Sequence, residues 1–283
     1  MDRQRLGLAL GGGGARGFAH IGVLKIFEQE HIPVDFLSGS SMGGVLAAAY
    51  GAGVSTEKLK AVALDFSNPR KMMRLLDVNP LRRGLLEGKR VRAYLVDQLG
   101  LDLQFDQLNI PVALTATDCL RGETVILDQG SVIDAVMATC AFPGIFRAVK
   151  IGDRWLLDGG MLNNVPVSVV KMLGAQAVIA VDVTAPSQVS EIPKELDQVH
   201  HLPPIFPQLT EDIYQASMIM TNEITRIRLK ESPPDLVIYP QIPDEISIFT
   251  GFFQAAEIIA AGESTARQLL PSIVQLIESM HAS

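Results

Sequence analysis

The first residue with clear chemical potential is a serine framed by two glycines. Ser41 has Gly39 two positions before it and Gly43 two positions after it, whereas the nearby Ser38 and Ser40 lack this frame. In a nucleophile elbow, a serine with this spacing occupies a sharp turn between a strand and a helix, and the glycines let the two elements pass closely. Such short motifs also arise by chance, so Ser41 is a candidate nucleophile that needs partners.

A glycine-rich loop near the N-terminus is the candidate oxyanion hole. Gly12, Gly13 and Gly14 follow a short apolar run and precede Gly17. Consecutive backbone N–H groups in such a loop, at the start of a helix, form an anion-binding nest with the helix dipole behind it. Arg16 is expected to add positive charge there, to hold the loop by hydrogen bonds, or simply to lie on the helix surface.

A serine hydroxyl also needs a general base, and an aspartate is the better candidate. Asp158 is followed by Gly159 and Gly160, which leave room for another backbone segment or a ligand to approach. An aspartate with the ordinary pKa of about 3.9 is a weak base at neutral pH, but burial would raise that pKa. Asp-Gly pairs are also common in turns, so Asp158 taken alone is equally a turn residue.

Histidine is the usual base of a serine triad, in which it follows the acidic residue. After the candidate nucleophile the histidines are His200 and His201, which lie among prolines, and His281, which is close to the C-terminus. His20 precedes the serine on a predicted helix, where it is expected to pack or to face solvent. These positions make the histidines weaker candidates than the aspartate.

Composition excludes several classes of protein. The chain has 283 residues, is 48% hydrophobic and carries a formal net charge of −7, so it has no overall electrostatic footprint for nucleic acid. Cys119 and Cys140 are expected to be reduced thiols, and no cysteine–histidine spacing indicates a metal site. The uncharged window 36–54 contains the elbow and is better explained as a buried strand and helix than as a membrane span. We expect a cytoplasmic protein.

The pattern of apolar runs predicts an α/β fold in which these residues lie between strands and helices. A strand at 6–10, a helix at about 16–30 and the elbow strand at 34–37 form a βαβ unit. Further strands are predicted at 111–117, 123–128 and 177–181, helices at 131–140 and 166–173, and a hairpin at 149–157 that runs into Asp158.

One domain over residues 1–283 is the simplest organisation, with 185–250 as a region that covers the cleft. Prolines interrupt this region, yet 213–230 has the pattern of an amphipathic helix, and 234–240 that of a strand at a sheet edge. The last helical region, 251–280, is expected to break around Gly262 and Pro271. Apolar residues between 205 and 253 are more simply core than a slot for an acyl chain.

Residues 67–100 form a local basic band in this acidic protein. Methionines and leucines are interleaved among the basic residues, which are Arg70, Lys71, Arg74, Arg82, Arg83, Lys89, Arg90 and Arg92. The simpler interpretation is a solvated surface with its apolar residues packed inward. The alternative is contact with anionic lipid headgroups at the inner membrane face.

The three motifs, taken together and in this order, resemble the patatin-like phospholipase family in its compact bacterial single-domain form. They are the loop 12–17, the elbow 39–43 and the segment 158–160. The strand before the glycines, the Ala-Thr-Asp at 116–118 and the Asn-Val-Pro after the aspartate extend the resemblance. It implies a three-layer α/β/α sandwich with a mostly parallel central sheet.

The resemblance also implies a mechanism. Ser41 would attack an ester carbonyl, Asp158 would act as general base in a Ser–Asp dyad, and the amides of Gly12, Gly13 and Gly14, helped by Arg16, would hold the oxyanion. An acyl-enzyme on the serine would then be hydrolysed by water. The implied substrates are acyl esters, from phospholipids to lysophospholipids, and neither calcium nor another cofactor is implied.

Other functions compete with this one. The pattern Gly12-x-Gly14-x-x-Gly17 also occurs in dinucleotide-binding folds, but Asp35 then lies at the beginning of the second strand instead of its carboxyl end. An acyltransferase with a Ser–His pair is the main alternative, because hydrolysis and transfer share their first half-reaction. A regulatory or adaptor protein with an inactive site is the third. The sequence predicts neither the physiological ester nor the oligomeric state.

Overall fold

A mixed β-sheet is the middle layer of the molecule. The computed structural model describes residues 4–77, 86–184, 208–248 and 251–281, and in these ranges the sheet has eight strands. The strands are β1 (Leu6–Leu10), β2 (Phe36–Gly39), β3 (Val112–Asp118), β4 (Glu123–Leu127), β5 (Val149–Ile151), β6 (Arg154–Asp158), β7 (Ala177–Val181) and β8 (Leu236–Ile238).

Helices cover both faces of this sheet. They are α1 (Ala19–Gln29), α2 (Ser41–Gly51), α3 (Thr56–Phe66), α4 (Pro69–Leu75), α5 (Lys89–Leu99), α6 (Val132–Thr139), α7 (Gly160–Asn163), α8 (Val167–Met172), α9 (Gln208–Glu231) and α10 (Ala255–His281). Short 3₁₀ turns occur at Gly14–Phe18, Phe105–Gln107 and Gly251–Gln254.

The centre of the sheet is parallel and one end of it is antiparallel. β1 lies between β2 and β7 and is parallel to both, and β2–β3 and β7–β8 are also parallel pairs. β4 and β6 pair with β3 in antiparallel fashion, and β5 pairs with β6. The predicted α/β sandwich with a parallel centre is confirmed. β8 lies at an edge of the sheet, as the prolines on either side of it predict.

Alternation along β1 shows how the layers are built. Successive side chains of a strand point to opposite faces of the sheet. Leu6, Leu8 and Leu10 belong to the larger core, which α1, α2, α3 and α10 cover. Ala9 belongs to the smaller core on the other face, where Val170 of α8 packs with residues of β7.

The edge of β3 brings two distant strands end to end. β4 pairs with residues 114–118 of β3, so β2, which pairs with 112–114, and β6, which pairs with 116–118, both lie on the opposite edge. β2 is parallel to β3 and β6 is antiparallel, so their carboxyl ends point toward each other. The residues after Gly39 therefore face Asp158.

The prediction that the last helical region breaks around Gly262 and Pro271 is wrong, because α10 continues through both residues. A Cβ on Gly262 would lie 1.9 Å from the carbonyl oxygen of Ala19, and one on Gly22 would lie 2.1 Å from that of Ile259. The glycines thus permit a close crossing of α1 and α10. Packing of the apolar face of a helix outweighs local propensity in such a case.

Other boundaries differ from prediction by a few residues. The helix expected from about residue 16 begins as the 3₁₀ turn Gly14–Phe18, and the helix expected at 213–230 is longer, since α9 spans Gln208–Glu231. Of the proposed covering region, residues 185–207 and 249–250 lie outside the described part of the chain. The single-domain organisation remains a prediction.

Candidate active site

The turn from β2 into α2 holds Ser41 in a strained conformation. Its φ is 50°, in the left-handed region that residues other than glycine seldom adopt. A Cβ on Gly39 would lie 2.6 Å from the carbonyl oxygen of Gly43, and one on Gly43 would lie 2.3 Å from that of Leu10. The two glycines are required because β1, β2 and α2 nearly touch at this turn.

The structure brings Ser41 and Asp158 together. Ser41 Oγ donates a hydrogen bond of 2.7 Å to Asp158 Oδ2, although 117 residues separate them in the chain. The Gly160 N–H donates to the other carboxylate oxygen at 2.8 Å. A Cβ on Gly159 would lie 2.1 Å from the carbonyl oxygen of Thr115, so this glycine lets the end of β6 approach β3. The carboxylate is therefore fixed at both oxygens.

Burial changes the acidity of this carboxylate. Asp158 is 3% exposed, and desolvation raises its pKa to about 6, while the hydrogen bonds from Ser41 and Gly160 act in the opposite direction. A carboxylate with this pKa is still ionised at neutral pH. It is also a stronger base than an exposed aspartate.

The glycine loop lies directly beside the serine. A Cβ on Gly12 would come within 2.9 Å of Ser41 Cβ. The N–H of Gly12, however, is hydrogen-bonded to Asn164, at 3.1 Å to Oδ1 and 3.3 Å to the carbonyl oxygen. Among the described residues, the N–H groups of Gly13 and Gly14 have no such acceptor. Because its hydrogen is already bonded, Gly12 is a weaker candidate donor than Gly13 or Gly14, and its expected part in the oxyanion hole remains a prediction.

Arg16 supports the loop through carbonyl groups. Its Nε donates to the Val183 carbonyl at 2.9 Å, and its Nη1 donates to the carbonyls of Ile246 and Pro243 at 3.2 and 3.4 Å. Of the roles expected for Arg16, hydrogen bonding that holds the loop fits these contacts. Gly17 follows it, and a Cβ there would meet Met42 Cγ at 2.5 Å.

His20 is a neutral residue behind the loop. Its side chain is fully buried, and desolvation lowers its pKa to about 4. Its Nε2–H therefore donates to the Gly11 carbonyl at 2.7 Å. His200 and His201 lie outside the described residues, as does the side chain of His281. The histidine alternative thus remains a prediction for those three.

A thiol also lies next to the serine and the aspartate. Burial raises the pKa of Cys140 well above its ordinary value, and the Asp158 carboxylate raises it further. The thiol consequently stays protonated at neutral pH. Because the thiolate is the nucleophilic form of cysteine, Cys140 is a poor competitor of Ser41.

Sequence reasoning missed three contributors to this site. Asn164, which follows Asp158 in the chain, accepts the Gly12 N–H and so anchors the glycine loop. Thr139 accepts a hydrogen bond from the Ser41 N–H at 2.9 Å. Met42 is the residue after the nucleophile, and its N–H, like those of Gly13 and Gly14, has no acceptor in the described part of the chain. The elbow motif contains the signal for Met42, since the residue after such a serine commonly donates to the oxyanion; nothing local marked Thr139.

The fold and the site together define a class: an α/β sandwich whose elbow serine is hydrogen-bonded to a carboxylate at a strand end. The model of the family described as patatin-like phospholipase matches residues 8–171, which is more than half of the chain. The chain belongs to that family. The family resemblance drawn from the three motifs is confirmed.

Comparison with curated proteins gives relatives of greater length. The chain is 34% identical over 177 residues to the uncharacterised NTE family protein Rv1063c of Mycobacterium tuberculosis, covering 62% of this chain and 48% of the relative. It is 34% identical over 183 residues to neuropathy target esterase sws of Drosophila melanogaster, covering 63% of this chain and 13% of that protein. The chain thus spans about half of the mycobacterial relative and a small part of the insect one.

A solved structure shares the fold at low sequence identity. VipD from Legionella pneumophila superposes with a TM-score of 0.52 and 13% identity, covering 96% of this chain and 67% of that one. Within the described ranges, no helix of this chain combines the length and the apolar character needed to cross a bilayer.

Proposed function

We propose that the chain is a serine hydrolase of acyl esters, of the phospholipid or lysophospholipid type, with Ser41 as nucleophile and Asp158 as general base. The observation that carries the proposal is the 2.7 Å hydrogen bond from Ser41 Oγ to a buried carboxylate. Membership of the patatin-like phospholipase family supports a lipid ester as substrate. The name of the Drosophila relative, an esterase, agrees with this class of reaction.

The first half-reaction forms an acyl-enzyme. As Ser41 Oγ bonds to the carbonyl carbon of the ester, its proton passes to Asp158 Oδ2, and the negative charge moves to the carbonyl oxygen. The N–H groups of Gly13 and Gly14, together with that of Met42, are the proposed donors to this oxyanion. When the tetrahedral intermediate collapses, the C–O bond to the alcohol breaks, and the protonated carboxyl of Asp158 gives its proton to the leaving oxygen.

The second half-reaction regenerates the enzyme. A water molecule attacks the acyl carbon while Asp158 removes its proton, and a second tetrahedral intermediate forms in the same oxyanion site. Its collapse breaks the bond to Ser41 Oγ, which takes the proton back from Asp158. The products are the fatty acid and the free serine, so one carboxyl group serves as base and as acid in both halves.

Product analysis on a panel of esters tests this function. The panel contains a lysophospholipid, a diacyl phospholipid and a short nitrophenyl ester, each incubated with the full chain. We expect free fatty acid and the deacylated alcohol in equal amounts, without added metal. Acyl groups recovered on a second lipid would instead indicate a transferase, and no cleavage of any ester would refute the proposal.

We also propose that a surface around α4 contacts anionic membranes. An open groove of about 530 Å³ is lined by Leu64, Ser67, Asn68, Pro69 and Arg70. Two large apolar side chains are exposed on the adjoining elements: Met73 of α4 is 66% exposed, and Phe253 of the 3₁₀ turn Gly251–Gln254 is 50% exposed. The Ser67 hydroxyl donates to the Phe252 carbonyl at 2.9 Å, which joins the connection between α3 and α4 to the 3₁₀ turn at Gly251–Gln254.

The charges of this surface suit an anionic partner. Lys71 pairs with Asp65 at 2.5 Å and Lys89 with Glu87 at 2.9 Å. The side chains of Arg70 and Arg74 have no carboxylate partner among the described residues, so their charges are available to phosphate groups. A basic residue at a membrane surface contributes about 1 kcal/mol to binding.

Co-sedimentation with vesicles tests the contact. We expect binding to vesicles that contain anionic lipid at low salt, and little binding to neutral vesicles. Replacing both Arg70 and Arg74 by Gln should weaken binding by about 2 kcal/mol, or roughly 30-fold. The matched control removes two other positive charges, Lys150→Gln with Lys171→Gln. Equal loss in both double variants, or no binding by the wild type, would contradict a membrane-contacting surface at α4.

A further inference from the structure

The backbone of Ser41 requires support from its surroundings. A residue other than glycine with φ near 50° is held in a sparsely populated conformation, and such conformations persist only when neighbouring structure enforces them. Ser41 is also the first residue of α2, so its N–H has no acceptor within the helix. The residue that accepts this N–H therefore controls where the hydroxyl points.

Thr139 supplies that acceptor. Its Oγ1 receives the Ser41 N–H at 2.9 Å, and the side chain is completely buried. The methyl group of Thr139 packs against the first turn of α2, since a Cβ on Gly44 would lie 2.9 Å from Thr139 Cγ2. The threonine thus contacts the nucleophile turn with both its hydroxyl and its methyl group.

The C-terminal end of α6, where Thr139 lies, is also hydrogen-bonded to the backbone around Asp158. Thr139 is the last residue of α6, where carbonyl groups lack N–H donors within the helix. The Gly159 N–H donates to the Thr139 carbonyl at 3.3 Å, and the Asp158 N–H donates to the Ala141 carbonyl at 3.0 Å. Residues 139–141 therefore accept hydrogen bonds from the backbone N–H groups of Ser41, Asp158 and Gly159.

We propose that Thr139 is a positioning residue, which fixes the Ser41 hydroxyl against the Asp158 carboxylate by accepting the Ser41 N–H while its own carbonyl holds the segment that follows the aspartate. This inference rests on the proposed hydrolase function. The hydroxyl does not touch the substrate. It acts by keeping the strained turn in the one conformation that gives the short hydrogen bond.

Two substitutions in the full chain separate the hydroxyl from the shape of the side chain. Thr139→Val keeps the shape and removes the acceptor, whereas Thr139→Ser keeps the acceptor. With a soluble nitrophenyl ester, we expect kcat to fall about 10- to 100-fold in Thr139→Val while KM stays within about twofold, because small misplacements of reacting groups cost this much. Thr139→Ser should stay within about threefold of the wild-type kcat.

A buried threonine away from the site gives the matched control. Thr56 is 3% exposed and its hydroxyl donates to the Glu28 carboxylate. Thr56→Val should lower the melting temperature without changing kcat. Wild-type kcat in Thr139→Val, an equal loss of kcat in Thr139→Ser, or an equal loss in Thr56→Val would each overturn the positioning role.

Hydrogen exchange of the Ser41 amide keeps this test independent of turnover. We expect slow exchange in the wild type and in Thr139→Ser, and exchange at least about tenfold faster in Thr139→Val, because the bond that protects the amide is lost. Wild-type protein that cleaves no ester would refute the proposed function alone. Faster exchange of the Ser41 amide in Thr139→Val would still support the positioning role in that case, and unchanged exchange of this amide would overturn it.

Discussion

Replacing Asp158 by Asn is expected to abolish ester hydrolysis and, at the same time, to stabilise the folded protein. The amide cannot accept the proton of Ser41, so we expect kcat/KM to fall by about 10³- to 10⁵-fold, as for the loss of a catalytic carboxylate in other serine enzymes. Asn can still accept from the Gly160 N–H, which donates to Oδ1 in the structure. The geometry of the strand end should therefore survive.

The expected gain in stability follows from the raised pKa. The pKa of Asp158 is about 6 in the folded protein, against an ordinary value of 3.8. Between these values the folded state binds more protons than the unfolded state, so stability falls as the pH rises through this window. Above it the full cost of the buried charge remains, which is at most about 3 kcal/mol for a shift of this size. The neutral amide removes that cost.

Urea unfolding at two pH values measures this effect. At pH 7.5 we expect Asp158→Asn to be more stable than the wild type, and at pH 4 we expect the difference to become small. Asp153→Asn is the matched control, because Asp153 lies at the turn of the same hairpin with its side chain 80% exposed and paired with Arg121. Full hydrolytic activity in Asp158→Asn would contradict the role of this carboxylate as the base.

Ser41→Ala is expected to reduce activity about 10⁴- to 10⁶-fold, because it removes the proposed nucleophile and the neighbouring Cys140 thiol stays protonated at neutral pH. Its backbone N–H and the bond from that N–H to Thr139 remain, so we expect the fold to be retained. The measurement is kcat/KM on a lysophospholipid and on a nitrophenyl ester. Far-ultraviolet circular dichroism checks that the variant is folded.

The neighbouring serine offers a close control. Ser40 is buried, and its hydroxyl has no hydrogen-bond partner among the described residues. Ser40→Ala should therefore leave hydrolysis near the wild-type rate. If Ser40→Ala lost activity and Ser41→Ala kept it, the nucleophile would have been assigned to the wrong residue.

The elements that carry the motifs could be predicted because their signals are local. Small residues after Ser41 predict a closely packed helix. Two short apolar runs on either side of the turn 152–154 predict the hairpin that ends at Asp158. Their meeting could not be derived from local pattern, since it depends on β2 and β6 sharing one edge of β3. The family resemblance implied the pairing, and the topology supplies its physical cause.

The points at which the structure departs from the sequence-based expectations also depend on distant contacts. Gly12 resembles its two neighbours in the sequence, but Asn164, 152 residues away, takes its N–H. Gly262 and Pro271 are ordinary helix breakers by propensity, yet α10 crosses α1 so closely that the glycine is needed and the packed helix continues. In each case a contact distant in sequence decided the outcome.

The most direct test of the Ser41–Asp158 pair is the pH dependence of covalent modification of Ser41 by a fluorophosphonate, followed by mass spectrometry of the labelled peptide. The base must be deprotonated to act, and its pKa is about 6. We predict that the labelling rate is constant above this pH, falls about tenfold per pH unit below it, and becomes very slow in Asp158→Asn. A rate that is unchanged in Asp158→Asn would contradict the account, as would modification of the protein at a residue other than Ser41.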